Sequence, residues 1–164
     1  MRVSELRFRA RTKADDTFLV AVGRSVFARW SAEPGRTLLS MVQVAGARTE
    51  IAVRDERPVG FAIVTFDRLG RRFGPWADPK VARLDAIAVL PAEQKNGIGS
   101  ALLEHAESVA VAEGAVVMML MTAQQNLEAR RLFGASGFQG LSQLPREYAN
   151  GDPAVEMFKS IAPG

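Results

Sequence analysis

The stretch from Ala82 to Met121 constrains this chain more than any other. Ala82-Arg83-Leu84-Asp85-Ala86-Ile87-Ala88-Val89 reads as a strand. Gly97-x-Gly99 then opens a helix in which Ile98, Leu102, Ala106, Val109 and Glu113 share one broad sector at about 100° per residue, and Gly114 supplies the stop. Val116 to Met121 is an unbroken apolar run, the pattern of a strand covered on both faces. Strand, helix and strand at this spacing imply a parallel pair joined by a right-handed crossover.

The flanking chain supplies further elements. Leu6-Arg7-Phe8-Arg9-Ala10 alternates apolar with basic residues, as a half-buried strand does. Asp15 and Asp16 precede Phe18, Leu19, Val22 and Val26 at helical spacing, which predicts a helix ending near Phe27. Pro34-Gly35 breaks the chain, and Leu38, Leu39, Val42 and Gln43 predict a second helix reaching Ala45. Glu50 to Val53 and Pro58 to Phe66, separated by the polar turn Arg54-Asp55-Glu56-Arg57, form an antiparallel hairpin. A loop rich in Gly, Pro and Arg follows from Asp67 to Lys80. Beyond the central unit, Asn126 to Phe133 reads as a short helix, Gly137-Phe138 starts a strand, and Ala154 to Phe158 supplies the last one.

Composition narrows the chemistry. The 164 residues are 48% hydrophobic and 24% charged, ordinary for one folded domain spanning 1–164. No cysteine is present, which excludes disulfides, thiolate metal sites and a cysteine nucleophile. The single histidine, His105, argues against a zinc hydrolase or a Ser-His-Asp triad. It falls at the edge of its helix's apolar sector and reads as a packed, hydrogen-bonded histidine. The net charge of +3, from 21 basic and 18 acidic residues, is mild. Arg68, Arg71, Arg72, Lys80 and Arg83 cluster in a way that reads as a solvated face, and with so small a net charge no nucleic-acid partner is expected. The start, Met1 to Arg7, contains Glu5 and has no apolar h-region, and no run approaches the roughly 18 apolar residues of a spanning helix. A cytoplasmic protein with no membrane partner is expected.

Gly97 and Gly99 stand where helix-terminal N–H groups are unpaired, and the missing side chains let a phosphate approach the positive end of the dipole. Neither common nucleotide template is met. There is no G-x-x-x-x-G-K-[ST], and Leu102 stands where G-x-G-x-x-G has its third glycine. The ordered set is more specific: Val89-x-Pro91, Gln94-x-x-Gly97-x-Gly99, a helix, an apolar strand, then Asn126-x-x-Ala129-x-x-Leu132-Phe133-x-x-x-Gly137-Phe138. From Leu84 to Phe138 it resembles the GNAT N-acetyltransferase superfamily. Glu147 to Asp152 followed by Ala154 to Met157 is similar to that superfamily's terminal region.

The resemblance implies an α/β fold with a mixed sheet of about seven strands flanked by about four helices, and a splayed parallel strand pair that holds acetyl-CoA. It implies that Gln94, Lys95, Asn96, Gly97, Ile98, Gly99 and Ser100 form the pyrophosphate loop. By the same comparison Ile87, Ala88 and Val89 bond the pantetheine arm and acetyl carbonyl, and Asn126 touches the cofactor beyond the splay. Asn126 also reads as a helix N-cap. The sequence departs from the superfamily twice: Phe133 stands where many members carry a tyrosine general acid, its ring expected instead to bind the cofactor by packing against the pantetheine end near the sulfur, and Met121 stands where some carry a glutamate base.

Asp85, which interrupts an apolar strand, is the candidate replacement base or water-positioning group. The alternative is a carboxylate paired with Arg83 or lying on an open face. Tyr148, the only tyrosine, is the candidate acid or else a structural residue. Met118, Met119 and Met121 read as core. The implied activity is transfer of an acetyl group to a primary amine by direct attack. An acyl-CoA-binding or sensing module without turnover is the alternative, motivated by Phe133 and Met121. The acceptor is a small-molecule or peptide amine, the former favoured by the length of the Asp67 to Lys80 loop. A homodimer is an expectation at family level.

Overall fold

A computed structural model describes residues 5–145 and 147–162, so the first four residues of the N-terminal stretch lie outside the described residues. The alternating segments become seven strands: β1 (Arg7–Ala10), β2 (Arg48–Arg54), β3 (Arg57–Arg68), β4 (Lys80–Val89), β5 (Val117–Ala123), β6 (Gln139–Leu144) and β7 (Ala154–Ser160). The helical segments become α1 (Asp16–Phe27), α2 (Pro34–Val42), α3 (Ile98–Ala112) and α4 (Leu127–Ala135). The strands form one sheet in the order β1-β2-β3-β4-β5-β7-β6. Among the described residues only β4 and β5 are parallel, joined through α3. Among the described residues no helix is long and apolar enough to cross a membrane.

Alternation along β3 sorts the two faces of the sheet. Ala62 and Val64 pack with Leu102, Leu103 and Ala106 of α3, whereas Phe61 and Ile63 pack with Leu19 and Val22 of α1 and Leu38 of α2. A third, smaller cluster joins Val81, Val117 and Met119 to Leu69, Phe73 and Trp76 of the Asp67 to Lys80 loop. That loop thus serves as a lid on the sheet. Four members of the basic cluster have partners within the chain. Arg68 donates to the Asp78 carbonyl, Lys80 to the Glu113 carbonyl and Arg83 to Asp67, while Arg71 lies over the Phe73 ring.

Two boundaries differ from expectation. Pro34 is the first residue of α2 rather than a break before it, because its fixed φ suits the first turn and it has no N–H to leave unpaired. The same helix stops at Val42, short of Ala45, where the Gln43 N–H bonds back to the Ser40 carbonyl and tightens the last turn.

His105 is packed as expected. Its ring stacks on Phe8 with centroids 4.4 Å apart, and its Nε2 lies 2.8 Å from the buried Glu50 carboxylate. The methionines divide: Met118 and Met119 are buried, whereas Met121 is 48% exposed. The reason lies in how the parallel pair ends.

Candidate active site

The β4–β5 ladder runs from Val81 opposite Val117 to Leu84 opposite Leu120, and stops there. On the other side of β4, Ala86 faces Ile63 and Leu84 faces Val64, so Asp85 has no residue opposite it. This is a β-bulge, which adds a residue to one strand, sharpens its twist and re-aims its side chains. Pairing with β5 ends at the same position. From Asp85 to Val89 the edge of β4 facing β5 has no strand partner, and Met121 begins the part of β5 that no longer meets β4.

A cleft of about 450 Å³ occupies this gap. Ile87, Ala88 and Val89 form one wall, Asn126 and Phe133 another, and Gln94, Lys95 and Gly99 line it at the start of α3. Gln94 donates from Nε2 to the Val89 carbonyl at 3.0 Å, which pins the loop to the end of β4. Lys95 and Gly97 both have positive φ, +70° and +78°, so the chain turns sharply into the helix and its first N–H groups stay open. A Cβ on Gly99 would stand in the cleft, 3.5 Å from Leu132 of α4. The remaining loop residues do not line it with side chains. Ile98 is buried in the core, Ser100 lines a separate surface with Glu104 and Glu107, and Asn96 and Gly97 are exposed. Asn126 accommodates both readings of it: Oδ1 accepts the Ala129 N–H at 3.3 Å as a helix cap, and the residue lines the cleft. Arg131 lines the cleft too, a second cation beside Lys95 that the motif comparison did not mark.

Phe133 is buried and meets Phe138 edge to face, with centroids 5.9 Å apart. No hydroxyl is available there. Asp85 is half-buried and accepts a hydrogen bond from the Thr65 hydroxyl at 2.7 Å. Burial pushes its carboxyl above the usual range, against the opposing pull of the Thr65 bond and of Arg83. The expected alternative of an Asp85–Arg83 pair is not formed; Arg83 bonds Asp67 instead, at 3.3 Å.

A smaller chamber of about 160 Å³ opens on the other side of Asp85 and Met121. Its walls are Phe27, Trp30, Leu38 and Met41 from α1, α2 and their connection, together with Tyr148. Asp85, Ala86, Met121, Thr122 and Asn126 line both spaces, so cleft and chamber meet at the bulge. Tyr148 is carried by the segment between β6 and β7, which is tied down at Asp152. That carboxylate accepts from Trp30 Nε1 and from the Gln125 N–H, both at 3.2 Å, and Ala149 N–H bonds the Trp30 carbonyl. Burial, with Glu147 and Asp152 nearby, pushes the Tyr148 hydroxyl up to about 12. The Leu69 to Pro79 segment lines neither space, which removes the reason for favouring a small-molecule acceptor.

The acetyltransferase (GNAT) family model matches residues 15–138, which holds α1 through α4 and the cleft between β4 and β5. The chain belongs to the GNAT acetyltransferase family. No curated protein matches it in sequence. Among solved structures, the GNAT fold recurs in Ard1 from Thermoplasma volcanium, with a TM-score of 0.80, 18% identity, and 96% of this chain and 99% of that one covered. The ribosomal-protein-S18-alanine N-acetyltransferase from Escherichia coli gives a TM-score of 0.77 at 22% identity, with 98% and 96% covered. Arabidopsis thaliana NAA60, solved in complex with acetyl-CoA, gives 0.80 at 16% identity, with 96% and 99% covered. These likenesses are of fold.

Proposed function

We propose that this GNAT chain, acting as a single domain over 1–164, transfers the acetyl group of acetyl-CoA to a primary amine by direct attack in a ternary complex. The observation that carries the reading is the meeting of cleft and chamber at the Asp85 bulge. A thioester in one space and an amine in the other would lie within reach of each other, with no side chain needed as a covalent carrier.

The residues suit the cofactor. The unpaired edge of β4 offers backbone groups to a pantetheine arm, the open N-terminus of α3 and the cations Lys95 and Arg131 suit a pyrophosphate, and Gly99 leaves the space it needs. When bound, acetyl-CoA supplies the activated carbonyl and the thiolate leaving group. An N–H of Ile87 to Val89 aimed at that carbonyl stabilises charge as it develops on oxygen.

Asp85 is the group that handles the amine's proton, as base or by positioning a water. An alkylammonium with a reference pKa near 10.4 is only about one part in 10³ neutral at pH 7, so a nearby carboxylate that draws in the ammonium and orients a water to receive its proton has work to do. Thr65 holds that carboxylate in place. Tyr148 is a hydrogen-bond donor rather than an acid. A hydroxyl near 12 gives its proton to a thiolate of reference pKa near 8.5 only against about 5 kcal/mol. A thiolate can leave unprotonated at neutral pH, so Phe133 is tolerable where many members of the family carry a tyrosine.

The test is a thiol-release screen of acetyl-CoA with primary amines. Amine-dependent CoA release that follows Asp85 supports the reading. Tight acetyl-CoA binding without release on any amine overturns it in favour of the acyl-CoA-binding module that Phe133 and Met121 suggest.

A further inference from the structure

We propose, resting on the transferase reading above, that the acceptor is a primary amine with one positive charge whose substituent is compact, apolar and uncharged. The chamber beyond Asp85 has nearly the volume of the apolar cavity, about 150 Å³, that holds one benzene ring. Phe27, Trp30, Leu38, Met41 and Tyr148 give it aromatic and aliphatic walls. Among the described residues Asp85 is the one charged side chain that lines it. Tyr148 stays neutral at working pH.

Each rival class would bury a charge that this chamber does not answer. A free amino acid brings a carboxylate, yet no cation among the described residues lines the chamber: Arg83 of the adjoining groove is held by Asp67, and Arg29 lies over the Trp30 ring without lining the chamber. A diamine brings a second ammonium into the apolar walls, where transfer from water is costly unless a partner is supplied. The adjoining groove does contain Glu156, and Glu147 and Asp152 lie near Tyr148, so a diamine spanning Asp85 and one of these carboxylates is the specific competitor. The walls favour the apolar body. The shared chemistry fits either a free arylalkylamine or a peptide whose first side chain is apolar, since a peptide's α-amino group carries no neighbouring carboxylate.

The test is kcat/KM for acetylation of a matched set by the full chain: 2-phenylethylamine, phenylalaninamide, a tetrapeptide beginning with Phe, phenylalanine and 1,5-diaminopentane. The first three should exceed the last two by about a hundredfold or more. Whichever of free amine or peptide leads names the source, and either result supports the proposal. Phenylalanine or the diamine matching the leaders overturns it while leaving the transferase reading intact; no turnover with any member, when other primary amines do release CoA, likewise overturns it, and no release on any amine in the wider screen defeats the transferase reading instead. Thr37→Lys, on the exposed rim of the chamber, gives a second readout that spares the core. It should raise the ratio of phenylalanine to 2-phenylethylamine by about tenfold. An unchanged ratio in the folded variant would place the substituent elsewhere and overturn the proposal.

Discussion

Asp85 occupies a costly position: a carboxylate in a mostly apolar strand, left without a cross-strand neighbour by the bulge and lifted in pKa by burial. A raised folded-state pKa means that the native protein holds this proton more tightly than the unfolded chain. Stability therefore falls as pH rises from the unfolded value toward the folded one, and the cost of burying the charge is complete only above the folded value. Removing the charge should relieve that cost. Asp85→Asn, which can still accept the Thr65 bond, is expected to melt no lower than the native protein at pH 7 while kcat drops about 10² or more and acetyl-CoA affinity holds. The acidic limb of the kcat profile, set above the ordinary carboxylate range, should vanish with it. Melting curves and pH-rate profiles check both halves. A lower melting temperature with unchanged kcat would make Asp85 a structural residue. The strand interruption made Asp85 visible in the sequence; Thr65 was not, because its reach to Asp85 depends on the register shift between Ile63 and Val64.

Elements position the chemistry by what they leave unpaired. The turn into α3 keeps helix-terminal N–H groups open beside the free edge of β4, and Gly99 faces that space. Gly99→Val puts a branched side chain there, with only ordinary contact to Leu132, so the fold should survive. The acetyl-CoA dissociation constant should rise at least about tenfold, near 1.4 kcal/mol, by calorimetry; unchanged affinity would place the cofactor elsewhere. The segment between β6 and β7 works in the opposite way, by closing. Asp152 joins it to the α1–α2 connection and to the chain before α4. Asp152→Ala should therefore raise KM for the amine several-fold and leave acetyl-CoA affinity alone, because Tyr148 walls the chamber but not the cleft. Equal effects on both substrates would mean that the tie supports the whole fold. The glycine loop and the crossover were legible because they are local patterns, with Gly97, Gly99 and Gly114 marking the ends of one helix. The chamber was not: Trp30 and Asp152 stand 122 residues apart, and neither carries a motif.

At the scale of the molecule, the sheet order and the parallel pair put the cleft and the chamber at one point, the two spaces we propose for cofactor and acceptor, and the rest of the fold holds that geometry. The periodic segments announced nearly every element, since burial on one face or two leaves its mark in residue spacing. Coverage was harder to read. Met121 looks like its buried neighbours Met118 and Met119 but is exposed at the splay, and the Asp67 to Lys80 loop covers Val81 and Val117 rather than a substrate. The N-terminal edge is fastened by charge. Arg9 of β1 forms two 2.8 Å bonds to Asp15, which also accepts the Thr12 N–H, and the Arg9 bond above all holds that carboxyl at about 2. A depressed folded-state pKa contributes stability that is present above the unfolded value near 3.9 and lost as pH falls through about 2. Asp15→Asn should thus cost about 2 kcal/mol at pH 7 in urea unfolding and almost nothing near pH 2; a cost independent of pH would contradict the pairing. The central claim, that donor and acceptor occupy adjoining spaces at once, is tested most directly by initial rates of CoA release measured while acetyl-CoA and 2-phenylethylamine are varied together. Double-reciprocal lines that intersect are the predicted result. Parallel lines, the mark of an acetylated enzyme formed before the amine binds, would contradict it.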